Sequence, residues 1–69
     1  MVWEPKAGEV YRRIAGAQLG NIAQGDLVLV RDMDGLISSD GGKYGHLVVL
    51  RTGKTIHFPL FERFWEKVS

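Results

Sequence analysis

The sequence predicts an all-β fold in one domain over residues 1–69. Three observations predict it. Nine glycines in 69 residues punctuate the chain, so its apolar runs are of strand length and its gaps are poor in helix formers. The runs "DLVLV" and "HLVVL" are rich in the branched side chains that suit a pleated, half-buried surface. Finally, "HLVVLRTGKTIHF" places two such runs on either side of a glycine turn, which is the signature of a hairpin.

The elements follow in chain order. In "GEVYRRIA", Val10 and Ile14 share one parity and Tyr11 and Arg13 the other, which predicts a first strand buried on one face. "GAQLGNIAQG" carries three glycines and reads as a long loop with room for a brief strand at 19–23. Residues 27–30 are apolar on both parities, as in a strand covered on both sides or lying at a barrel seam. "DGLISSDGGKYG" is dense in turn formers and reads as a loop. Residues 46–58 form the hairpin, with Thr52-Gly53 as its tight turn and Gly53 free to take positive φ.

Pro59 has no N–H for a ladder and is expected to end that strand. Two readings fit the tail "FPLFERFWEKVS". Leu60, Phe61, Phe64, Trp65 and Val68 lie at helical spacing, which suits a helix over 59–68. A helical turn over 60–64 followed by a strand over 65–68 fits equally, with Phe58, Phe61 and Phe64 plugging the barrel end. Burying each such ring is worth roughly 1.5–3 kcal/mol, which a small core without staples needs.

Composition bounds the function. The net charge is +1, from 9 Lys and Arg against 8 Asp and Glu, far from the strong basic excess of most nucleic-acid binders. There is no cysteine, which excludes disulfides and thiolate metal sites and suits a reducing compartment. No apolar run approaches the length of a membrane span, and "MVWEPKAGE" lacks the pattern of a secretory leader. The expectation is a cytoplasmic protein with no membrane association.

No catalytic constellation emerges. His46 and His57 fall on the two strands of the hairpin, but no third ligand is spaced to join them in a metal site. Ser38-Ser39-Asp40 offers hydroxyls without a positioned base. Asp32, Asp34 and Asp40 lack the closing glutamate of a calcium loop, and Asp34-Gly35 is explained as a turn. Gly41-Gly42-Lys43 has neither the upstream glycine nor the following hydroxyl of a phosphate loop. The reading is a non-enzyme with no cofactor and no metal.

The order of elements, carried by "WEPKAGEVYRR", "GDLVLV" and "FPLFERFWEKV", resembles that of Src-homology-3-like small barrels, and more narrowly small uncharacterised phage and prophage proteins of that shape. The resemblance implies a small five-stranded barrel with a short helical turn before the last strand; it implies a binding module and brings no catalytic residues with it.

Recognition on a small scaffold falls to loops and exposed aromatics. Trp3, Tyr11, Tyr44 and Trp65 are the expected contacts for a protein partner. The alternative is a nucleic-acid face using Arg12, Arg13, Arg31, Arg51 and Lys54, since cations beside aromatics suit phosphate contact and base stacking. A third expectation is self-association through an unpaired barrel edge, as in an oligomeric virion component.

Overall fold

A computed structural model describes residues 3–15 and 22–69. Its strands are β1 (Val10–Arg13), β2 (Leu27–Ile37), β3 (Lys43–Val49), β4 (Thr55–Leu60) and β5 (Trp65–Lys67). All pair antiparallel in one sheet of order β4-β3-β2-β1-β5. The all-β expectation therefore holds with five strands, in the form of a single sheet. Its edge strands β4 and β5 do not pair with each other among the described residues, so the sheet is not closed into a barrel. No described helix is long and apolar enough to cross a membrane.

The core lies on one face. Alternation buries Val28 and Val30 of β2, Leu47 and Val49 of β3, and Leu60 of β4, with Tyr11, Ile22 and Trp65 completing the cluster. Phe58 meets Trp65 edge to face at 6.5 Å, and Trp3 meets Tyr11 at 5.4 Å and 77°. Trp3 also donates its indole N–H to the Leu60 carbonyl at 3.2 Å, fastening the N-terminal segment across the sheet.

Several expectations are corrected in detail. The expected first strand with one buried face is present, and the parity that the sequence left open falls to Tyr11 and Arg13, whereas Val10 is half-buried and Ile14 exposed. Tyr11 carries more apolar area than Val10, and its hydroxyl is satisfied by the Glu9 carboxylate at 2.8 Å, so the larger ring wins the core position. Arg13 lays its guanidinium 5.9 Å from the Trp65 ring centre and donates from Nε to the Ala15 carbonyl at 3.2 Å.

β2 runs on through Asp34, Gly35, Leu36 and Ile37, where a loop was expected, and β3 begins at Lys43. Two register shifts, between Val30 and Asp32 and between Met33 and Ile37, absorb the extra residues. Gly35 adopts φ of 82° in the second shift, a value that a side chain would resist. The hairpin turn spans residues 50–53 instead of two residues: Gly53, at φ of 76°, donates to Val49 O at 2.7 Å, while Leu50 N–H is taken by Leu27 O at 3.0 Å.

Pro59 stays inside β4, because an edge strand has a side on which no N–H is needed. The tail resolves to a turn and a strand, not a helix over 59–68. Phe64 and Trp65 N–H groups both donate to Phe61 O at 3.1 Å, one hydrogen-bonded turn, and β5 follows at once. Phe64 packs on the core. Phe61 lies at its margin, 5.6 Å from Phe64 and over Gly42, where a Cβ would fall 2.5 Å from the ring. The short strand expected at 19–23 falls mostly outside the described residues; of the part described, Ile22 is buried.

Candidate functional site

β1 is much shorter than β2, and its pairing with β2 covers only Leu27 to Leu29. The ladder extends one step further, with Gly8 N–H donating to Val30 O at 2.8 Å and Val30 N–H to Glu9 O at 2.9 Å. Beyond that point the two segments diverge. Residues 4–7 and residues 33–37 become the walls of a groove of about 490 Å³, with Lys43 and Tyr44 of β3 completing its lining.

The groove is apolar where β2 leaves the core. Leu36 is 58% and Ile37 65% exposed, the two most exposed large apolar side chains among the described residues. Met33, Pro5 and Ala7 extend the apolar lining, while Glu4, Lys6 and Lys43 carry its charges. Lys43 donates from Nζ to the Trp3 carbonyl at 2.6 Å, tying β3 to the N-terminal wall.

Beside the groove, the outer face of β2, β3 and β4 carries a row of polar rings. Tyr44 lies 5.1 Å from His57, and His57 lies 4.8 Å from His46. His46 Nδ1 meets Asp32 Oδ1 at 2.7 Å, and His57 Nε2 meets Asp34 Oδ2. Partial desolvation works to raise the Asp34 pKa. The hydrogen bonds from His57 and from the Leu36 amide outweigh it and hold the carboxyl below the ordinary range. The aspartate thus pins Leu36 locally while His57 of β4 braces it across the intervening β3. No group of three or more His, Asp or Glu among the described residues is arranged to hold a metal ion.

The four expected aromatic contacts separate. Tyr44 lines the groove. Trp3 is half-buried and fastened by its indole, though it still borders two other clefts, near Phe61 and near Lys67. Tyr11 is 3% exposed and Trp65 2%, so both are core residues, with Tyr11 also at the base of the cleft near Lys67. Their size, which suggested recognition, is what the small core uses.

The basic residues are also dispersed. Arg12 pairs with Glu66 across β1 and β5, with Nε 2.8 Å from the carboxylate. Arg51 pairs with Asp26 at 3.0 Å, which lowers the Asp26 pKa together with the Ala23 amide. Arg13 is buried. Arg31 and Lys54 are exposed and form no ion pair among the described residues.

Leu36, Ile37, Met33, Pro5 and Ala7 were not singled out from the sequence. The available signal was the pair Leu36-Ile37 inside "DGLISSDGG", two large apolar residues stranded among turn formers. Compared with protein families, curated proteins and solved structures, the chain matches none.

Proposed function

We propose that the chain is a non-enzymatic binding module that contacts a protein partner through the groove between residues 4–7 and the far half of β2. The observation that carries this reading is the adjacent exposure of Leu36 and Ile37, at 58% and 65%, along the wall of a concave surface. Apolar side chains of that size in a small domain without staples are costly to leave in water unless something covers them. Tyr44, the aromatic in that lining, supplies an amphipathic contact with little rotamer entropy to lose. The strand order and the long, twice-shifted β2 support the narrower reading of a Src-homology-3-like module; a phage-derived origin is proposed with it, as an implication of the sequence resemblance alone.

The nucleic-acid alternative has less support, because Arg12 and Arg51 are neutralised by carboxylates and Arg13 serves the core. Affinity capture from cells producing the chain tests the proposal. Proteins retained by the wild type are expected to be lost from a Leu36→Asp/Ile37→Asp variant that melts at the same temperature. Retention of the same proteins by that variant, or capture of none by the wild type, would contradict it.

A further inference from the structure

From Arg31 onward β2 pairs on one side only. β3 takes that side, and no described residue pairs with the other after the last bonds at Val30. This half-open stretch forms one wall of the groove, and residues 4–7 form the other. The groove is therefore a wedge opening between two segments that have just parted from a ladder. A backbone edge beside an apolar trough is the arrangement that accepts an added strand, with main-chain bonds for affinity and side-chain pockets for selection.

Resting on the binding-module reading above, we infer that the occupant is an extended segment of the partner, added alongside β2 with apolar residues on Leu36, Ile37, Met33 and Tyr44 and acidic residues facing Lys6 and Lys43. The charges set the sign. The lining holds two lysines against one carboxylate, Glu4, and neither Lys6 nor Glu4 is in an ion pair among the described residues. A second copy of this chain fits the wedge less well, since its own β2 edge would arrive with its own N-terminal wall. A single extended segment carries no such wall.

Selection of random linear peptides on the immobilised full chain tests the inference. Enriched sequences are expected to alternate apolar and acidic residues and to shift the backbone amide signals of residues 4–7 and 31–37. Lys6→Glu is expected to weaken them roughly two- to fivefold, the scale of one exposed charge pair. N-methylation of a selected peptide along one edge should weaken it by about tenfold or more through lost ladder bonds, while methylation along the other edge leaves it nearly unchanged. Basic consensus peptides, equal loss from either edge, or shifts confined to other residues would each overturn the inference. If no linear peptide is enriched while the Leu36→Asp/Ile37→Asp variant still loses the captured partner, the extended-strand inference falls and the binding-module reading stands.

Discussion

Tyr11 donates its buried hydroxyl to the Glu9 carboxylate at 2.8 Å, joining the core to the start of β1. The two groups move each other's titration in opposite directions. Burial first, and then Glu9, push the Tyr11 hydroxyl well above its ordinary value. Tyr11 first, then the Lys6 amide and Lys67, pull Glu9 down to about 2.

A carboxylate whose folded pKa lies below its unfolded value stabilises the fold while it is ionised. That contribution is complete above the ordinary glutamate range and is lost as pH falls from there toward about 2. Thermal melts between neutral and acid pH are expected to show a fall in Tm across that window. Glu9→Gln should make that limb shallower and leave the part that Asp26 and Asp34 contribute, and an unchanged acid limb in that variant would show that Glu9 does not contribute to it.

Trp65 and Tyr44 are expected to separate stability from binding. Trp65 is 2% exposed and packs on Phe58 and Arg13, so Trp65→Ala should destabilise by about 3–5 kcal/mol and largely unfold a domain of this size. Tyr44→Ala removes a half-buried ring from the groove and should leave the fold intact while weakening partner capture. Denaturant unfolding with parallel capture measures both; a folded Trp65→Ala protein would contradict the core assignment.

Gly45 is held by close backbone approach. A Cβ there would fall 2.6 Å from the Asp32 carbonyl oxygen and from Met33 Sδ, in the stretch between the two register shifts of β2. The carbonyl cannot move without disturbing the pairing with His46, so Gly45→Ala is expected to cost about 1–3 kcal/mol. Equilibrium unfolding checks it, and a neutral result would mean that this stretch relaxes freely.

These particulars show what the sequence made legible. The strand at residues 27–30, the hairpin and the positive φ at Gly53 follow from local pattern, because alternation and turn geometry are local properties, whereas the expected cover on both faces of that strand is corrected: Val28 and Val30 are buried and Leu27 and Leu29 only half-buried. The parity of β1 was not legible, because Tyr11 and Val10 compete for one core position and only the packing around Trp3 and Glu9 decides between them. The far half of β2 was hidden for a related reason. Its turn formers are spent on register shifts inside a strand, with Asp34 bonding the Leu36 amide at 3.1 Å, so the exposed pair Leu36-Ile37 looked like loop. Half the expected aromatic site was core, and the groove lay in the stretch read as punctuation.

The most direct test of the docking groove is photocrosslinking in cells from a benzophenone side chain at residue 37, compared with one at residue 54 on the hairpin turn. Residue 37 is expected to yield a discrete crosslinked protein that Leu36→Asp abolishes, and residue 54 none. Crosslinks from residue 54 alone, or identical products from both positions, would contradict the assignment of the groove as the contact surface.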